Sequence, residues 1–146
     1  MDAQCSIDVE WNSNESSGKV ILASYSVGYG TLRTTGKDDN GLAPEVLLIA
    51  AISTSYSIAL SEVVRAASLP QARISIHGSG TIVTSCGAAQ FDRVVLSPTV
   101  QGADLSRRDA YEKAATAARD RCLIGRSMRG NVAYVIGNVL LPLCTN

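Results

Sequence analysis

Hydrophobic positions follow two patterns along this chain. Over residues 5–11 they alternate, with Cys5, Ile7, Val9 and Trp11 on one face and Ser6, Asp8 and Glu10 on the other. That period of two predicts a half-buried strand with Cys5 facing inward. Residues 12–18, NSNESSG, are turn chemistry. Residues 19–24 and 26–33 read as two further strands, the second weakened by Gly28 and Gly30, so the first third of the chain predicts an antiparallel meander. The polar segment GKDDNG (36–41) then leads into the second pattern.

Residues 44–67, PEVLLIAAISTSYSIALSEVVRAA, are charged only at Glu45, Glu62 and Arg65, and residues 46–61 carry no charge. Pro44 suits the first helical position, where its missing N–H is not needed. Glu45 in the first turn complements the helix dipole. A helix of this length spans about 36 Å, and one that is apolar nearly all round must be covered on every side. The expected cover is the rest of the chain together with a second copy of it. The charge-free run falls short of the roughly 18–20 residues that cross a bilayer, and Ser53, Thr54, Ser55, Ser57 and Ser61 lie within it, so a membrane span is not expected.

Beyond a Pro-containing turn at 68–71, residues 73–84 place Ile74, Ile76 and Ile82 on one face and Ser75, His77, Ser79 and Thr81 on the other. A loop is expected at 85–90. A strand at 92–101 follows, with Val94, Leu96 and Val100 inward and Pro98 marking a bulge or a sheet edge. Ser106 and Asp109 form an S-x-x-D capping box with apolar Leu105 just before it. The helix they open reaches about Cys122 with a small-residue stripe of Ala110, Ala114, Ala117 and Ala118. A turn at 125–130 and a β-rich run at 131–141 complete the order β-β-β-α-β-β-α-β, an α+β layout in one domain, 1–146.

Composition narrows the function. Thirteen basic and thirteen acidic residues leave no net charge, which argues against nucleic-acid binding. No positively charged leader precedes an apolar run. Cys5, Cys86, Cys122 and Cys144 show no CxxC spacing, and His77 is the single histidine. No metal site and no cofactor are expected from such a set. A cytoplasmic protein with free thiols is the expected class.

Two segments carry the candidate chemistry. APEVLLIAAISTSYSIALS (43–61) is similar to a helix signature that reads P-E-E-L, then A-A, then C-[FY]-S-x-x-L-S; RDRCLIGRSMRGN (119–131) is similar to N-C-P-[IV]-S-x-A-L-x-G. With the element order, these motifs resemble the OsmC/Ohr family of thiol-dependent hydroperoxide reductases over nearly the full length. The resemblance implies an OsmC-like fold in an intertwined homodimer with sites at the subunit interface, hydroperoxides as small-molecule substrates, and an external dithiol as reductant. It puts Ser55 at the reactive-cysteine position, Cys122 at the resolving cysteine, Arg33 at the active-site arginine and Glu45 at its glutamate partner. Leu123 and Gly125 depart from the motif's proline and serine.

Peroxide reduction by thiols needs an ionised attacking thiol, a cation to orient the peroxide, and a second thiol within disulfide reach. Arg33, Glu45 and Cys122 suit the last two requirements; the Ser55 hydroxyl cannot become a sulfenic acid. Glu45 and Ser55 are ten residues apart (55 − 45), about 15 Å along one helix. A shared site would therefore take Glu45 from a partner's antiparallel helix. Arg119, Arg121 and Arg126 surround Cys122, which is expected at a helix C-terminus, an environment for a resolving thiol rather than an attacking one. Leu47, Leu48, Ile58 and Met128 would favour organic peroxides over hydrogen peroxide. Two functions from different classes fit: a peroxidase changed at position 55 and inactive as written, and a ligand-binding or stress-response module that kept the fold. A serine hydrolase is a poor fit, because nothing places His77 near Ser55.

Overall fold

Three short strands, β1 (Asp8–Asn12), β2 (Ser17–Leu22) and β3 (Tyr25–Tyr29), form an antiparallel meander, as the alternation predicts. The structure, a computed structural model, describes residues 4–31 and 42–143. Asn12 Oδ1 accepts the N–H of Asn14 at 3.0 Å and closes the first turn. The expected inward face is not covered: every residue of β1 is exposed, and Ile7, Val9 and Trp11 are 56%, 53% and 45% exposed. Cys5 is exposed as well. Alternation identifies an apolar face, and among the described residues that face stays exposed.

Helix α1 (Pro44–Ala66) matches its sequence limits closely. Its burial is one-sided. Ile52, Tyr56, Ala59, Leu60, Val63 and Val64 are buried, while Ala50, Ala51, Thr54 and Ile58 are exposed, Ile58 by 62%. By length and composition α1 could cross a bilayer, yet its buried face is built into the core described next.

The second sheet has the order β4-β5-β6, from β4 (Arg73–Ser85), β5 (Ala88–Gln101) and β6 (Ala133–Ile136). β4 and β5 form a long antiparallel hairpin. The loop expected at 85–90 is only a two-residue turn, Cys86 and Gly87, both at positive φ as that tight connection requires. Val94, Leu96 and Val100 face the core, as expected. Pro98 sits neither at an edge nor at the register shift, which falls at Thr81/Ile82 instead. It lies in the middle strand and is fully buried. Its carbonyl accepts Leu140 N–H at 2.9 Å. Its nitrogen therefore faces the side of β6, which ends at Ile136 opposite Leu96, with pairing resuming only at the Thr99–Leu140 bridge.

Gly78 lets α1 approach β4: a Cβ there would lie 2.6 Å from Ser53 Oγ and 2.8 Å from Ile49 Cγ2. Tyr56 reaches from α1 to donate its hydroxyl to the Ala115 carbonyl at 3.1 Å. Ala115 belongs to α2 (Arg108–Arg121), whose buried face is Tyr111, Ala114, Ala115 and Ala118. The helix does not begin at a Ser106 cap. Asp104 accepts the Ser106 N–H at 3.0 Å and its hydroxyl at 2.7 Å, and a 3-10 turn (Leu105–Arg107) comes first. Asp104 reaches the free N–H from two residues before, so Asp109 is not needed as a partner. The turn expected at 125–130 contains a further short helix, α3 (Leu123–Ser127). β6 then pairs parallel to β5. Met1–Leu48 and Ile49–Asn146 form two compact units, the second holding α1 from Ile49 onward, α2, α3 and the β4-β5-β6 sheet.

Candidate active site

Ser55 projects from the middle of α1, and Cys122 occupies the junction between α2 and α3. The two meet. Cys122 Sγ lies 3.3 Å from Ser55 Oγ, donating to it, and 3.9 Å from the Ile52 carbonyl. Cys122 is fully buried although 70 residues separate it from Ile52.

The junction modifies the expected setting of Cys122. Its N–H closes the last turn of α2 on Ala118 at 2.9 Å, so it does end that helix. Its thiol also caps α3, accepting Gly125 N–H at 3.4 Å. Ile124 N–H donates to Ser55 Oγ at 3.4 Å. Two backbone donors at the start of α3 thus converge on the 55–122 pair. Each side chain of the pair thus accepts one backbone N–H.

Two phenols complete the surroundings. Burial holds the Tyr56 hydroxyl well above the usual tyrosine range, and Cys122 nearby adds to the effect. Tyr134, from β6, is raised by burial, by Cys122 and by Tyr56, with Arg119 acting in the opposite sense. The Tyr134 oxygen is buried beside Cys122 without a hydrogen bond of ordinary geometry. Gly125 is what admits its ring, since a Cβ at that position would collide with it. Sequence reading misses this role: Gly125 is there only a departure from a motif serine, and Tyr134 one position in the β-rich run at 131–141.

Glu45 stands in the first turn of α1, and its Oε2 is buried without a hydrogen-bond partner among the described residues. Arg33 lies outside the described residues. His77 is exposed on β4, and the Ser55 hydroxyl is engaged by Cys122 and Ile124 instead. Cys5, Cys86 and Cys122 are free, and Cys144 lies outside the described residues.

The OsmC-like protein family model matches residues 36–136, well over half of the chain and including both Ser55 and Cys122. The chain belongs to the OsmC-like family. Solved structures agree with the fold. An OsmC-like protein from Mycoplasma pneumoniae superposes with a TM-score of 0.82 at 15% identity, covering 98% of this chain and 100% of that one. An organic hydroperoxide resistance protein OsmC from Legionella pneumophila does so at 0.74 and 17%, covering 95% and 99%. The organic hydroperoxide resistance protein OhrB of Bacillus subtilis does so at 0.70 and 17%, covering 96% and 100%. No protein of curated function matches the chain. The OsmC-like α+β fold expected from the motifs is therefore the observed one.

Proposed function

We propose that this OsmC-like protein carries the pocket of a thiol-dependent reductase of organic hydroperoxides, and that with Ser55 in place its two-thiol cycle does not turn over. The observation that carries the reading is the 3.3 Å approach of Ser55 Oγ to Cys122 Sγ. A sulfur at 55 would stand within disulfide reach of Cys122. In that cycle a thiolate at 55 attacks the peroxide O–O bond. The distal oxygen goes to sulfur as a sulfenic acid, and the alkoxide leaves as the alcohol once protonated. Cys122 then displaces water to form the disulfide, and an external dithiol returns both sulfurs to thiols. Ile124 N–H, now on Ser55 Oγ, would stabilise the thiolate. Arg33 paired with Glu45 would orient the peroxide; the unsatisfied Oε2 of Glu45 is what such a pairing would satisfy. The names of the hydroperoxide resistance relatives support the substrate class.

The functional form is a homodimer of one 1–146 domain, working in the reducing cytoplasm where free Cys5, Cys86 and Cys122 persist. The exposed apolar stripe of Ala50, Thr54 and Ile58 supports a second copy lying along α1. One feature favours the other reading, a binding module without peroxidase chemistry: the Ser55 oxygen already accepts two hydrogen bonds, from Cys122 and Ile124.

A single assay separates the two. Ser55→Cys should consume an organic hydroperoxide in the presence of dithiothreitol, more slowly with hydrogen peroxide, while the Ser55 chain does not. The oxidised variant should lose two titratable thiols relative to the reduced one. No thiol-dependent turnover by Ser55→Cys would overturn the peroxidase reading.

A further inference from the structure

We propose that the cavity bounded by the end of α2, by α3 and by the start of β6 is a binding site for a small dianion, either a phosphate monoester or a dicarboxylate. The chain is neutral overall, yet Arg119, Arg121, Arg126 and Arg129 fall within eleven residues that contain one acid, Asp120. Three of these arginines, Arg119, Arg126 and Arg129, line one cavity of about 640 Å³ together with Asp120, Val132 and Tyr134. That volume suits a small ligand.

Charge within the cavity is unbalanced in a specific way. Asp120 Oδ1 is shared, 3.2 Å from Arg119 Nη2 and 3.6 Å from Arg129 Nη2. One carboxylate thus holds two guanidinium groups beside a third, and Arg126 has no ion pair among the described residues. The cavity mouth thus presents three guanidinium groups against one carboxylate, all within reach of a solute from water. Helix dipoles account for arginines in the last turns of α2 and α3. They do not account for Arg129, which lies beyond α3 and lines the same cavity. The planar guanidinium fork matches carboxylate and phosphate oxygens. Val132 and the Tyr134 ring offer apolar surface for the carbon skeleton that carries them. Ser55 and Cys122 do not line the cavity, although Gly125 and Tyr134 border both it and the 55–122 pair.

The test titrates inorganic phosphate and, separately, succinate into the full-length protein by calorimetry, with sodium chloride holding ionic strength constant. Saturable binding of at least one dianion is expected. Arg126→Gln should weaken it by about tenfold or more, and Arg126→Gln with Arg129→Gln should abolish it while far-UV circular dichroism is unchanged. Arg126→Lys keeps the charge, loses the fork and should fall between wild type and Arg126→Gln. Tighter phosphate binding assigns a phosphate monoester, and tighter succinate binding a dicarboxylate. No saturable binding of either, or binding unchanged by Arg126→Gln, overturns the proposal. The outcome is the same in Ser55→Cys and does not depend on peroxidase activity.

Discussion

The two three-stranded sheets of this protein were written in the same alternating code and ended differently. In β1-β2-β3, Val9 and Trp11 remain about half exposed. In β4-β5-β6, Val94 and Leu96 are fully buried in a cluster that also contains Tyr56 of α1 and Tyr111 of α2. The strands do not differ in kind. What differs is whether elements of the same unit, among the described residues, pack on the apolar face. Alternation states which face is apolar; only a covering element turns that face into stability. Among the described residues an apolar sheet face and part of α1 stay exposed, while the second sheet is covered.

The largest effect that sharpens this contrast is core truncation. Leu96→Ala removes a fully buried side chain and should lower unfolding free energy by about 2–5 kcal/mol in urea denaturation. Ile7→Ser, on the exposed face, should change the stability of the monomer by no more than about 0.5 kcal/mol. It should instead shift sedimentation toward the monomer if that face meets a second copy. Equal losses for both variants in dilute monomer would break the comparison.

A matched pair of glycines gives the next effect. Gly78→Ala forces a Cβ to 2.6 Å from Ser53 Oγ under α1 and should cost about 1–3 kcal/mol. Gly28→Ala, in β3, meets only the Gly18 carbonyl oxygen at 3.8 Å and should be nearly neutral. Both are read from thermal or urea midpoints.

Thiol exposure follows local cover, not sheet: Cys86 is exposed in the turn of the covered sheet. Cys5 and Cys86 should react with a chromogenic disulfide at once, and Cys122 only at the rate of opening or unfolding. Rapid modification of Cys122 in the native protein would contradict its burial.

The smallest effect concerns alkaline pH. Tyr56 and Tyr134 keep their protons in the fold past the pH at which an unfolded tyrosine loses its own. Their contribution is therefore intact below about pH 10 and falls as pH rises through it, because the unfolded chain then binds fewer protons than the native one. Tyr134→Phe deletes an unsatisfied buried hydroxyl, so it should leave neutral-pH stability unchanged or slightly raised and flatten the alkaline decline. A loss of more than about 1 kcal/mol at pH 7 would show that the hydroxyl has a partner.

Much of this protein was legible in order along the chain. The ends of α1, the meander, the long hairpin and the inward set Val94, Leu96 and Val100 follow from periodicity and Pro44. Local rules failed where two of them competed. Asp104 displaced Ser106 as the cap because it takes both the N–H and the hydroxyl of Ser106. Pro98 entered a central strand because its neighbour β6 stops beside it, a fact of pairing and not of propensity. Motif spacing pointed to Ser55 and Cys122. It could not reveal Tyr134 or the N–H groups of Ile124 and Gly125, which enter only when α3 folds against α1.

By itself, the amino-acid sequence determined the element order, the apolar faces and the residue types of the candidate pair, because these depend on neighbours a few positions away. Only the tertiary structure decided which faces are covered within one copy, that residues 67 positions apart stand 3.3 Å from each other, and that three arginines share one cavity. Those outcomes depend on packing between distant segments. Periodicity records the need for a partner surface, and folding in three dimensions supplies its identity.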